Sequence, residues 1–540
     1  MPERLTALEQ TTLALDTARN PATVGTVDVF KPGPDGFDYE QLISLIRDRI
    51  RYVPRYRQRI LGVPGRLADP VWVDDSDFDL TFHVRRSALP RPGNRQQLRE
   101  FAGRVLSRRM DRSRPLWELY LVEGLEHDRF ALVAKTHQCV VDGVDTVDLA
   151  QVLLDSEPEA QIAPEESWHP LPEPSAIELV AGAVNEGLRD PARTVTNLQH
   201  ALTDAFGVAV AVSEAVGFGG PIGDLAADAL RGTRAPNRTP LAGSVSEQRR
   251  VAVVSFPLDD LRAVRAEHDH TINDVVLAMI TGGLRSWLMT RGESVGPDAS
   301  LTALVPMSVT ADGEDDVTSL GSRVAPHLTR LPIGEANALI RLHQVAYGTR
   351  AHKESGRAVA AREISELAGF APATLHALGV RATGDLMRRP YDLLITNAPG
   401  PQSPVYLGEA EMVGSYPVIP LSSGHLLAIG VTSYNGKIFI GLNADRDAFR
   451  DLDVLAQCIT DALEELLDTT VRAKSQRQPT RSASSEAKKR AAKRSAARKP
   501  AAKRSSSKTT KSTERKKGSS TGQGRVEPDQ LDQDQSESDQ

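Results

Sequence analysis

Lysine divides this chain. Four lysines fall in the first 470 residues and ten in the next 55. With arginine counted, residues 471–525 hold 19 basic side chains against two acids, Glu486 and Glu514. Residues 526–540 then hold six acids and no base. The formal charge of −6 over 540 residues therefore leaves −17 on residues 1–470. A stretch such as "EAKKRAAKRSAARKPAAKRSSSKTT" has no apolar period. It carries too little hydrophobic surface to offset the entropy lost on ordering. Folding is thus expected of an acidic body, followed over 471–540 by a disordered tail rich in Lys, Arg and Ala with an acidic tip. Such a tail is a solubilising segment, or it is drawn to a polyanion. The polyanion would be nucleic acid reached through 471–525 or an anionic membrane or lipid-droplet surface.

The body is too long for one ordinary core, and two domains are expected. Two cysteines, Cys139 and Cys458, exclude a disulfide framework and a cysteine-based zinc site. No apolar stretch reaches the length of about 18 residues that spans a bilayer, and the N-terminal twenty residues lack the pattern of a secretory leader. A cytoplasmic protein, peripheral to membrane or lipid inclusions, is expected.

Apolar patterning points to mixed α/β structure. "FALVAKTH" (130–137) is an apolar run that ends in polar residues, as a buried strand does, and 144–155 then shows helical spacing. "RVAVVSF" (250–256) and "LTALVP" (301–306) read as strands. Between them, 271–290 reads as a helix with Thr271 and Asp274 as a capping box. Two apolar runs flank Asn435-Gly436, a strong hairpin signal, and 451–467 is a closing amphipathic helix. From about 157 to 248 the pattern breaks into proline-rich and amphipathic segments, expected to form a long connection with one or two helices whose apolar faces pack on the domains.

No Gly-rich phosphate loop, Gly-x-Ser-x-Gly elbow or His-Glu-x-x-His is present, and among the twelve histidines only His268 and His270 lie close in sequence. No metal is expected. "KTHQCVVDGVD" (135–145) makes more chemical sense. A strand that delivers His137 to its end and turns through Asp142-Gly143 into a helix sets a base at the edge of a crevice. Gly143 permits a tight turn, and Asp142 can hold the loop by hydrogen bonds. Such a base takes the proton of an alcohol attacking a thioester. A structural histidine at a strand end is the competing reading. Cys139, with no visible base to activate it, reads as a small buried filler.

Several further blocks stand in order around this stretch. They are Pro115-Leu116-Trp117-Glu118, "FDLTFHVRRSALPRPG" (78–93), "PRYRQRI" (54–60) and Asn273-Asp274. "VPMSV" (305–309), "TNAPGP" (396–401) and residues 416–445 complete the set. Together with 137–143 they make the chain resemble, over about 465 residues, the bacterial wax ester synthase/acyl-CoA:diacylglycerol acyltransferase family within the CoA-dependent acyltransferase superfamily.

The resemblance implies an α/β (α+β) fold of two chloramphenicol-acetyltransferase-like domains joined by a long, partly helical linker. The expected boundaries are 1–156, 157–248 for the linker, 249–470, and the tail at 471–540. It implies a long-chain acyl-CoA as co-substrate, no permanently bound cofactor, diacylglycerol or a fatty alcohol as acceptor, and triacylglycerol or wax ester as product. The family writes its active site His-His-x-x-x-Asp-Gly, and the imidazole that takes the proton is the second of the pair. Here that position is Gln138, whose amide can orient an alcohol but cannot accept a proton at neutral pH. Loss of a general base typically costs roughly 10²–10⁴-fold. Because neighbouring strand side chains point to opposite faces, His137 replaces it only if the strand ends early or bulges.

Two functional readings follow. In the first, the chain is an active acyltransferase in which His137, or a water held by Gln138, assists deprotonation while Asp142 and Gly143 shape the loop. In the second, it is a catalytically weak relative that binds acyl-CoA or neutral lipid and coats lipid surfaces. Pro115, Trp117 and Glu118 read as support for the motif, the first two chiefly as packing residues. Asn273 and Asp274 are tied to activity by the resemblance and to helix capping by their position. Asn397 and Gly400 suit a tight loop.

Overall fold

The apolar runs become two six-stranded sheets. The computed structural model describes residues 2–66, 68–141, 149–158, 168–189, 239–308, 324–353 and 391–477. Asp142, Gly143 and nearly all of the basic tail lie outside the described residues, and residues 1–476 form one compact unit.

The first sheet holds β1 (Thr23–Lys31), β4 (Val84–Ala88), β5 (Trp117–Leu125) and β6 (Arg129–His137). It is extended by β11 (Tyr406–Leu407) and β12 (Ala410–Val418), giving the order β11-β12-β1-β6-β5-β4. A small ribbon of β2 (Gln58–Leu61) and β3 (Val71–Asp74) stands apart from it. Strand β6 pairs antiparallel with β1 in unbroken register, from Phe30 opposite Phe130 to Thr23 opposite His137. No bulge interrupts it, so odd and even residues of β6 face opposite sides throughout. The helix Arg95–Leu106 packs on the odd side, where Gly25 leaves room for Leu106: a Cβ there would lie 2.5 Å from Leu106 Cδ2.

The second sheet holds β7 (Arg249–Pro257), β8 (Leu301–Ser308), β9 (Val324–Leu331), β10 (Leu393–Ala398), β13 (Leu427–Tyr434) and β14 (Lys437–Asp445). Their order is β7-β14-β13-β10-β8-β9. Strands β13 and β14 are joined by Asn435 and Gly436, both at positive φ, the turn the Asn-Gly pair predicted. Against this sheet lies the helix Ile272–Thr290, in which Val275 through Ile280 are all buried. A helix apolar on every side is one enclosed on every side. Gly283 admits Ile459 of the Leu452–Arg477 helix, and a Cβ on it would meet Ile459 Cγ1 at 2.5 Å.

Two features go beyond the sequence reading. Of the block 416–445, residues 427–445 form the hairpin around Asn435-Gly436. Tyr416–Val418 belong to β12, which pairs antiparallel with β1 in the first sheet, so that chain beyond residue 400 completes the N-terminal sheet. A local apolar pattern cannot reveal a strand whose partner is almost 400 residues away. The closing helix also runs past residue 467 to Arg477.

In the connection between the sheets, the helix Ala176–Arg189 packs Leu179 against Val63, Val71 and Val73 beside the β2–β3 ribbon. Leu171 N donates to Asp74 at 3.0 Å. This segment is tied to the N-terminal half by buried apolar contact.

Candidate active site

Strand β6 ends at His137, and a 3-10 turn, Gln138–Val140, begins immediately after it. Both flanks of the junction are pinned by main-chain bonds. His137 N donates to Leu116 O at 3.0 Å, and Gln138 N donates to Ala22 O at 3.0 Å. The structure therefore brings the Pro115–Glu118 block directly against the motif, at the start of β5.

His137 is 2 % exposed and lies on the odd face of β6. Its Nδ1 accepts from Cys139 N at 3.2 Å, which puts the ring proton on Nε2. Nε2 stands 3.8 Å from Asp16 Oδ2, too far for a hydrogen bond but close enough for electrostatic orientation. Asp16 also accepts from Ala22 N at 3.1 Å, from Arg109 Nη2 at 3.0 Å and from Arg112 Nη2 at 2.8 Å. Burial alone would raise the Asp16 carboxyl, but His137 and Arg112 outweigh it and hold the group below the usual carboxylate range. Burial likewise keeps the His137 imidazole below its ordinary pKa, against the pull of Asp16. Burial thus favours the neutral ring, whose Nε2 is enclosed without a hydrogen-bond partner among the described residues.

Gln138 is half-buried, and its Nε2 is enclosed without a hydrogen-bond partner among the described residues. An amide donor so enclosed is costly unless a ligand completes it. Cys139 is fully buried and packs as the small filler its context suggested.

A narrow cavity of about 40 Å³ runs along the even face of β6. Thr136, Ala134 and Leu132 line it, with Phe30 and Leu407, and the helix Leu149–Leu153 covers it. Its lining is mainly apolar and includes Trp117, with Thr26, Asp28, Thr136 and Glu118 as the polar members. His137, on the other face, takes no part in it.

Trp117 is a packing residue. It is 2 % exposed, its Nε1 donates to Tyr56 O at 2.7 Å, and His83 stacks on it at 4.7 Å between ring centres. Pro115 is buried, and its carbonyl accepts from Trp117 N at 3.0 Å. Glu118 faces the opposite side and accepts from Tyr120 OH at 2.8 Å, with Lys135 Nζ and Arg85 Nη2 each at 3.4 Å. Burial, with Glu118 beside it, pushes the Tyr120 phenol up to about 12.

Asn273 and Asp274 stand at the start of the Ile272–Thr290 helix. Asp274 forms the expected capping box with Thr271, and its other oxygen accepts from Thr349. Asn273 Oδ1 accepts from Asn397 Nδ2 at 3.0 Å, tying the helix start to the end of β10. No hydrogen bond or ion pair among the described residues joins this pair to 115–118 or to 137–138. His270 Nε2 lies 2.8 Å from His343 Nδ1, but the described residues contain no group of three side chains suited to a metal.

Sequence reasoning missed Asp16, Arg109, Arg112 and His83. The arginines lie a few residues upstream of Pro115 but carried no spacing signal, and Asp16 lies on a different segment altogether. His83 sits inside a quoted block, yet nothing local marks it as the ring stacked on Trp117. Its Nδ1 donates to Trp117 O at 2.8 Å, and burial lowers its pKa.

Comparison with known proteins gives the family. Residues 5–276 match the profile described as the wax ester synthase/diacylglycerol acyltransferase catalytic domain, and residues 320–467 the corresponding C-terminal domain. A probable diacylglycerol O-acyltransferase of Mycobacterium tuberculosis, tgs1, is 32% identical over 456 residues, covering 84% of this chain and 93% of that protein. A second, tgs3, is 39% identical over 269 residues, covering 50% of this chain and 97% of that protein. Among solved structures, the wax ester synthase/diacylglycerol acyltransferase of Marinobacter aquaeolei VT8 superposes with a TM-score of 0.58 at 26% identity. That superposition covers 86% of this chain and 99% of the other.

Proposed function

The chain belongs to the wax ester synthase/diacylglycerol acyltransferase family, and from that premise we propose that it moves a long-chain acyl group from acyl-CoA to the hydroxyl of diacylglycerol. The product is triacylglycerol, and with a fatty alcohol as acceptor it is a wax ester. The alcohol oxygen forms a bond to the thioester carbonyl carbon, the carbon–sulfur bond breaks, and CoA leaves as the thiol. The observation that carries this reading is the amide of Gln138, enclosed without a partner among the described residues, two residues beyond Thr136 of the cavity lining.

Gln138 orients the alcohol or a water at that point, and the water takes the alcohol's proton, to be returned to the departing thiolate. His137 acts as a positioning residue. Its ring, oriented electrostatically by Asp16, accepts from Cys139 N and so shapes the turn that presents Gln138. The cavity on the even face of β6 receives hydrocarbon.

Gln138 also supports a second reading, a lipid-binding relative with little turnover, because an amide cannot serve as a base. Purified full-length protein incubated with palmitoyl-CoA and dioleoylglycerol separates the two. Triacylglycerol formation with stoichiometric thiol release, reduced in Gln138→Ala, supports the enzyme. Binding of both lipids without product supports the second reading.

No helix among the described residues is long and apolar enough to cross a membrane. For the 471–525 segment, with 19 basic residues against two acids, we propose attraction to an anionic lipid surface. Tighter binding of the full chain to duplex DNA than to anionic vesicles across a salt series would overturn that assignment.

A further inference from the structure

One group in the mainly apolar cavity is out of keeping with hydrocarbon. Asp28 lines it from the middle of β1 and is 5 % exposed. Its Oδ2 accepts from Thr26 Oγ1 at 2.8 Å, and its Oδ1 accepts from Ser415 Oγ at 2.6 Å. Thr26 is 1 % exposed and Ser415 is fully buried. Ser415 sits on β12, directly opposite Asp28, so two distant parts of the chain converge to hold one carboxylate. Strand pairing does not require it: a valine at 28 would satisfy the alternation, as Val27 and Val29 do on the other face. A carboxylate facing a mainly apolar space loses hydration that only such donors replace.

Its position along the strands is informative. Thr136, at the end nearest Gln138, pairs with Val24, and Leu132 pairs with Asp28. Four residues of strand separate the two levels, about 13 Å. The space between is lined by Ala134, Leu119, Leu153 and Thr26. A narrow space between one sheet face and one short helix suits a single unbranched chain.

We propose that Asp28, braced by Thr26 and Ser415, is a specificity-determining residue that limits the length of the acyl chain accepted from acyl-CoA. A chain that reaches its level must press methylenes against a hydrogen-bonded carboxylate, whereas shorter chains meet a mainly apolar lining with no carboxylate side chain facing them. This rests on the acyltransferase reading for the identity of the chain.

The test measures the affinity of full-length protein for acyl-CoAs of increasing even chain length, from octanoyl to eicosanoyl, with turnover followed in parallel. Wild type is compared with Asp28→Val and Asp28→Asn. In Asp28→Val, each methylene beyond the wild-type limit should tighten binding about four-fold, and the shortest chains should be unaffected. Asp28→Asn should shift the profile in the same direction by less, and it carries the test if the valine variant does not fold. A chain-length profile identical to wild type in a folded variant would overturn the proposal. So would a shift confined to a parallel series of 1-alkanols, which would place the acceptor there. Should the acyl-CoA binding profile shift while no variant forms product, Asp28 keeps its role and the acyltransfer reading falls.

Discussion

Gln138→His probes the candidate site most directly. The substitution leaves the main chain anchored, because the backbone N–H of residue 138 is bonded to Ala22 O at 3.0 Å. An imidazole carries one heavy atom more than the glutamine side chain beyond Cβ, so the half-buried position must yield slightly, at a cost of about 1 kcal/mol. Burial lowers imidazole pKa, as it does at His137, so a ring at 138 is neutral at about pH 8 and able to accept a proton. General bases contribute roughly 10²–10⁴-fold. With the crowding subtracted, turnover should rise by about 10²-fold, or roughly 2.7 kcal/mol of barrier. The assay follows thiol release from palmitoyl-CoA with dioleoylglycerol saturating, and quantifies triacylglycerol separately. The rate of the variant should fall on the acid side as the new imidazole protonates, an inflection the wild type lacks. A variant whose Tm stays within about 2 °C of wild type, yet is no faster and shows no acid limb, would refute the idea that residue 138 occupies the seat of the base.

Three further substitutions test the support beneath the turn. His137→Phe removes the acceptor of Cys139 N and should cost about 2–4 kcal/mol by urea unfolding. Because the folded pKa of His137 lies below its ordinary value, the unfolded chain binds the proton more readily. Its stabilisation is therefore complete above about pH 6.5 and is lost as pH falls through the folded value. Wild type should lose Tm more steeply than His137→Phe as the pH is lowered from neutral, and parallel slopes would contradict this. Asp16→Asn turns a buried acceptor into a partial donor facing Arg109, Arg112 and His137. The arginine side chains remain 38% and 39% exposed, which discounts the charge contribution, so about 1.5–3 kcal/mol is expected in the same unfolding experiment. Trp117→Phe removes the Nε1–H that Tyr56 O accepts and should lower stability by about 1–2 kcal/mol. An unchanged urea midpoint would contradict this.

Much of this protein is written locally. The strand Arg129–His137, the capped helix from Ile272 and the Asn435-Gly436 hairpin each follow from period, cap chemistry or turn chemistry within a few residues. The departure at Gln138 was equally plain, because a residue's identity requires no folding to be read. Tertiary structure decided which way His137 faces, and it did so through the unbroken register of β6 on β1. It also supplied Asp16 and its two arginines, and it carried Ser415 to within hydrogen-bonding distance of Asp28 across almost four hundred residues of chain. Sequence patterns record what each residue asks of its neighbours along the chain. Which distant groups answer is set by packing, and the environment of this site is made almost entirely of distant groups.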